Sequence, residues 1–214
     1  MGKWIEFLMM LLVVSDLALL GLSLLSTCIR VVAFQGVLLG VFALFVSPGG
    51  LTVRMAVIAC AGIALKGFVY PRLLRKAIRD AGIQREAEPY VGYIASVFAG
   101  VVLLGFSYWV GTKLSLQGNV EMPVIAPASL LTLFTGLFLI VARKKALNQC
   151  LGYIVFENGI YAFGIAAVGE IPALIELGLL LDAFVAVFLM GIAIYHINRE
   201  FDHLDADQLS SLKG

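Results

Sequence analysis

The sequence predicts an all-α integral membrane protein of about seven transmembrane helices. Of its 214 residues, 61% are hydrophobic and only 14% are charged, against roughly 25% charged in a soluble domain. Mean hydropathy is +1.01. The apolar residues fall into long runs broken by turn residues and basic clusters. Little chain remains for a soluble domain, and a net charge of +1 says nothing about an acidic partner; no nucleic-acid partner is expected.

Span 1 covers roughly 5–26. Lys3 precedes it, Asp16 interrupts it, and no small-x-small site follows, so it reads as an uncleaved helix rather than a signal peptide. Span 2, at 30–46, is short for a crossing. Pro48-Gly49-Gly50 marks a turn before span 3, at 51–70, which ends near Tyr70-Pro71. Span 4 occupies 90–111, Gly118-Asn119 marks the next turn, and span 5 runs 124–142. Span 6 covers 146–168. Gly169-Glu170-Ile171-Pro172 leads into span 7, at 172–197, with Pro172 in its first turn, where a missing N–H costs nothing. Residues 1–142 thus carry helices 1–5, 143–197 carry helices 6–7, and 198–214 form a polar tail. The tail holds Glu200, Asp202, Asp205 and Asp207, and is a loose end or a strap ordered by a partner.

Loop charge sets the expected orientation. Arg72, Arg75, Lys76, Arg79 and Arg85 follow span 3, and Arg143, Lys144 and Lys145 follow span 5. The positive-inside rule puts both groups in the cytoplasm, with the N-terminus outside and the C-terminus inside. Lys3 is a small exception. Trp4, Tyr108 and Trp109 lie near span ends, as interfacial anchors do. Cys28, Cys60 and Cys150 form no metal-binding or redox pattern and read as apolar thiols.

Glu157 and Asp182 are the most informative residues. Each is a carboxylate inside a membrane-length apolar stretch, where an acid costs a few kcal/mol or more and by default marks an ion or proton path. Glu157 lies about 13 residues before the turn near Gly169, and Asp182 about 12 after it. At 1.5 Å per residue both sit ~18 Å from the turn, near the bilayer midplane. Two facing carboxylates cannot both ionise cheaply, a balance that a reversible proton site needs. The alternative is a pair of protonated structural acids. Glu176 lies on a different face of span 7 and ~9 Å nearer the outside, either extending a path or sitting near the interface. Lys66 either snorkels to the cytoplasmic interface or serves as a deprotonable lysine or counter-ion. Asp16 is a weaker candidate that can pair with Lys66 inside the bundle. Asn158 and Asn148 are possible supporting amides. Gly152, Gly159 and Gly164 thin span 6 for a close neighbour. His196 and His203 fall at or beyond the end of span 7 and read as interfacial. No residue pattern suggests a catalytic or metal centre. Shifting Gly36 onto Gly152 also aligns Gly62 with Gly178 and Phe68-Val69 with Phe184-Val185, a possible parallel three-helix repeat.

Ala146-Leu147-Asn148-Gln149-Cys150-Leu151-Gly152-Tyr153-Ile154-Val155-Phe156-Glu157-Asn158-Gly159, followed by an acid in the next helix, resembles subunit K of respiratory complex I. The last three helices, beginning at about 124, resemble that subunit. That family carries a glutamate in each of its last two helices. Glu157 matches the first and Asp182 the second, with aspartate in place of glutamate. The whole chain looks more like hydrogenase-4 component E, a larger relative in membrane-bound group 4 NiFe hydrogenases. That resemblance extends over essentially all 214 residues, and includes Lys66 before a proline and the ending Leu204 to Gly214.

The resemblance implies a non-catalytic membrane subunit of a complex I-like hydrogenase or oxidoreductase in a prokaryotic inner membrane. The NiFe centre and iron–sulfur clusters would lie on partner subunits, with no cofactor on this chain. Its neighbours would be antiporter-like and hydrogenase-anchoring membrane subunits. Glu157 and Asp182, seconded by Glu176 and Lys66, would exchange protons during electron transfer. The other readings are a scaffold subunit without a transport role and a stand-alone proton-coupled secondary transporter.

Overall fold

The computed structural model describes residues 2–46, 53–80, 89–114 and 124–168. Its elements are α1 (Gly2–Gly21), α2 (Leu25–Val46), α3 (Val53–Ala64), a π-helical turn (Leu65–Val69), α4 (Tyr70–Asp80), α5 (Tyr93–Lys113), α6 (Ile125–Ala142) and α7 (Ala146–Val168). The class is all-α and membrane. Among the described residues, four helices are long and apolar enough to cross a bilayer: α1, α2 over Leu25–Phe45, α5 and α6. Span 7, with Glu176 and Asp182, and the polar tail lie outside the described residues.

Several boundaries differ from the sequence reading. The first break falls at residues 22–24, directly after Gly21, so α2 has 22 residues and is not short. Arg30 is an exposed residue in the second turn of α2, where a long basic side chain can lie along an apolar surface. The third span does not stop at Tyr70-Pro71. Pro71 has no N–H to close an α turn. The helix widens just before it, with the Tyr70 N–H bonded to Leu65 O, and then continues as α4. Arg72, Arg75, Lys76 and Arg79 are therefore helical rather than in a loop, while Arg85 lies outside the described residues. On α4 these four are exposed, and Tyr70, Pro71 and Leu74 are buried. Such an amphipathic helix suits the membrane surface.

Helix contacts follow small residues. Gly152 and Gly136 bring α7 and α6 backbone to backbone: a Cβ at Gly152 would lie 2.9 Å from Gly136 O and from Ile140 N. A Cβ at Gly159 would meet the Leu133 backbone. α6 and α7 thus pack antiparallel over their length, the closest association among the described helices. Pro127, in the first turn of α6 where its missing N–H is harmless, packs on Gly111 of α5. α1 and α2 meet over a much shorter stretch than α6 and α7, so the helix pairs that the possible repeat would equate are packed differently. Cys28 and Cys150 are buried, but Cys60 is exposed on α3.

The interior divides into two apolar clusters. One includes Leu19, Leu20, Val32, Leu139 and Val155. The other includes Met9, Leu12, Leu38, Ala128 and Ala162. The residues that separate them in sequence on α1, α2, α6 and α7 include Asp16, Gln35, Thr132, Glu157 and Asn158, all buried. A polar layer therefore lies between two dry clusters.

Candidate functional site

The polar layer holds two centres. At the first, Lys66 Nζ donates to Glu157 Oε1 at 2.9 Å and to Asn158 Oδ1 at 3.1 Å. The ammonium also lies 5.7 Å from the centroid of the Tyr161 ring, within cation–π range. Lys66 is 8% exposed, Glu157 2% and Asn158 0%, so this is an ion pair inside the bundle.

Local packing explains the geometry. α7 turns its glycine seam toward α6. Glu157 lies two positions before Gly159, ~160° round the helix, and so faces away from α6 toward the helix that carries Lys66. That helix approaches α2 closely because α2 offers glycines: a Cβ at Gly36 would overlap the Lys66 side chain, and one at Gly40 would overlap Ile63. Lys66 sits in the π turn itself, a distortion that recurs at functional sites. Its amine reaches inward to Glu157 instead of snorkelling to the interface.

The second centre joins α1, α2 and α6 around Asp16, which is fully buried. Gln35 Nε2 donates to Asp16 Oδ1 at 2.8 Å and to Ser15 Oγ at 2.9 Å. Thr132 Oγ1 lies 2.7 Å from Asp16 Oδ2 and 3.0 Å from Ala128 O. Ser15 Oγ donates to Leu12 O at 2.7 Å. The expected Asp16–Lys66 pair is therefore not formed. Gly36 presents α2 to Lys66 while its neighbour Gln35 presents it to Asp16, so α2 stands between the two charges. α1 also ends earlier than the sequence suggested, at Gly21, which puts Asp16 in its last third.

Asn148 belongs to the first turn of α7, ~14 Å along the helix from Glu157, and the fold does not bring it to either centre. Gln35 Oε1 and Asn158 Nδ2, one at each centre, make no hydrogen bond among the described residues. Buried polar atoms are as a rule satisfied by protein or by ordered water. Among the described residues no three His, Cys, Asp or Glu side chains converge as metal ligands would.

Sequence reasoning missed Gln35, Thr132 and Arg143. The first two are polar interruptions in apolar helices, which is the signal the sequence carries for them. Arg143 was counted with Lys144 and Lys145 as loop charge, yet it is 2% exposed. Its Nη2 donates to Leu20 O at 2.9 Å and its Nη1 to Val91 O at 3.3 Å. Its guanidinium lies 4.5 Å from the Tyr93 ring centroid. It ties the C-terminal ends of α1 and α6 to the start of α5, where a cation suits the carbonyl end of a helix.

The chain is 29% identical over 192 residues to the uncharacterized protein Rv0085 of Mycobacterium tuberculosis, an alignment that covers 88% of this chain and 86% of that protein. It is 35% identical over 79 residues to hydrogenase-4 component E of Escherichia coli K12, covering 37% of each chain. The same holds for hydrogenase-4 component E of Shigella flexneri. The resemblance to hydrogenase-4 component E is thus partial, not chain-long, and spans little more than a third of those relatives. No family model matches the chain, and no solved structure matches it.

Proposed function

We propose that this chain is a non-catalytic membrane subunit of a hydrogenase-like or complex I-like oxidoreductase, and that its buried ion pair takes part in proton translocation. The observation that carries this reading is the Lys66–Glu157 contact at 2.9 Å inside an apolar bundle. Two opposite charges held out of water by surrounding helices are expensive unless well paired, and in membrane helices they mark ion and proton pathways. The partial similarity to hydrogenase-4 component E supports membership of a multi-subunit membrane complex.

In this reading Glu157 carries the exchangeable proton. Lys66 stabilises its charged form, and Asn158 holds the ammonium in line. A charge arriving nearby weakens the pair, and Glu157 takes up a proton; its departure restores the pair and releases the proton. Asp182 and Glu176 are proposed as the continuation of the path in the following helix. Redox cofactors belong to partner subunits.

The test is proton translocation, measured with turnover and assembly, for Glu157→Gln and Asp182→Asn made separately in the complex. Intact assembly with pumping lost or uncoupled is the expected result. Intact assembly with unchanged pumping would overturn the relay and leave a scaffold.

A further inference from the structure

We propose that Asp16 is a second proton-exchanging group of this subunit, coupled across α2 to the Lys66–Glu157 pair. The coupling rests on the proposed role of that pair; the protonation of Asp16 does not.

The argument begins with a hydrogen count. The Gln35 amide nitrogen has two hydrogens and two acceptors, Asp16 Oδ1 and Ser15 Oγ. The Ser15 hydroxyl hydrogen is directed to Leu12 O. Thr132 Oγ1 has one hydrogen but sits between two acceptors, Asp16 Oδ2 and Ala128 O. With Asp16 ionised, the hydroxyl can satisfy only one of them. With Asp16 protonated, Oδ2–H donates to Thr132 Oγ1, and Thr132 donates to Ala128 O. Both short oxygen–oxygen contacts then hold a hydrogen. The cage accepts either state by rotation of one hydroxyl. Loading makes one O–H bond at Asp16 with a proton taken from water, and release returns that proton to water.

Placement supplies the coupling. Asp16 and Glu157 occupy the same polar layer, between the same two apolar clusters. Consecutive residues link them twice. On α2, Gln35 holds Asp16 while Gly36 backs Lys66. Between α6 and α7, Thr132 holds Asp16 while Leu133 lies against Gly159, next to Asn158. The acceptor Gln35 Oε1 and the donor Asn158 Nδ2, both without a hydrogen bond among the described residues, are a complementary pair for water entering the layer. Among the described residues, the other groups packed against Asp16 are uncharged. α5 offers Gly100 to Leu17 and Leu20 of α1, and the nearest cation along α1 is Arg143 at Leu20 O. Charge at Lys66 and Glu157 therefore reaches Asp16 through the buried interior of the bundle, where screening is weaker than in bulk water.

The experiment is infrared difference spectroscopy on the assembled complex across a pH series, with Asp16→Asn identifying the band. The expected result is a protonated-carboxyl stretch absent from Asp16→Asn. Its midpoint should fall by about one pH unit when Glu157→Gln removes a negative charge from the layer, and rise by about as much when Lys66→Met removes a positive one. Thr132→Val keeps the carboxyl but should displace the band, and Thr132→Ser should restore it. The proposal is overturned if no Asp16 band appears at any pH at which the complex stays assembled, or if the band ignores both charge variants. The band is read without a transport assay, so a Glu157→Gln complex that still pumps protons would overturn the path reading and leave Asp16 as a protonated site.

Discussion

The backbone of Gly36 lies directly against the Cβ of Lys66. An alanine at 36 must push the π turn away from α2 and carry the ammonium away from Glu157. Overpacking of this kind costs about 1–3 kcal/mol. Gly36→Ala should therefore lower the thermal stability of the complex and weaken proton translocation. Gly62→Ala, whose added methyl meets nothing within 4 Å, should do neither. Equal behaviour of the two variants would mean that Lys66 is not seated on α2.

The Lys66–Glu157 pair should give a strongly non-additive mutant cycle. Breaking a buried pair by removing one partner costs about 3–5 kcal/mol. Replacing both, as Lys66→Met with Glu157→Gln, removes that penalty and should cost well under the sum of the singles. Denaturation of the four proteins checks this, and additive costs would argue that the two side chains do not meet.

The α6–α7 seam should be intolerant of added methyls. Gly136→Ala and Gly152→Ala each drive a methyl into the facing backbone, which cannot move aside as a flexible side chain can. Each should cost at least about 1–3 kcal/mol and reduce the yield of folded protein. Gly105→Ala on α5 meets nothing within 4 Å and should behave as the parent.

Arg143 and Lys144 should differ in sensitivity despite being neighbours. Arg143→Lys loses the planar fork that reaches both Leu20 O and Val91 O, and hydrogen bonds from charged donors are worth about 1.5–3 kcal/mol each. Lys144 is exposed, and Lys144→Gln should change stability by no more than about 0.5 kcal/mol. Thermal unfolding of both variants provides the comparison.

The basic face of α4 should be reached from the cytoplasm. With exposed Cys60 replaced by alanine and the buried Cys28 and Cys150 retained, Arg75→Cys should react with a membrane-impermeant thiol reagent in inverted vesicles and not in intact cells. Labelling only from outside would reverse the proposed orientation.

The membrane class could be read from composition because lipid and a protein interior demand the same apolar residues. That same equivalence hid the packing. The glycine seam between α6 and α7 could be anticipated from Gly152 and Gly159, yet nothing in those positions said which helix they would meet. Lys66 and Glu157 each announced themselves as charges in apolar stretches. Their contact could not be read, because it spans 91 residues and depends on Gly36 yielding space. Asp16 was visible, but its partners were not: glutamine and threonine inside a span look unremarkable until three helices converge. Arg143 was misread because its two lysine neighbours made the segment look uniformly solvated, while the chain reverses there and folds one of the three inward. The end of the third span was misread because Pro71 usually closes a helix, whereas a widened turn let this one continue.

The inward turn of Arg143 has a consequence for traffic through the bundle. Its guanidinium sits about one helical turn beyond Asp16 on α1, bonded to the carbonyl of Leu20. A hydrated proton or sodium ion moving from the polar layer toward that end of α1 would climb a positive potential with little water to screen it. On the proposed proton path the arginine would serve as an electrostatic stopper, one that disfavours leakage of cations along the α1 side.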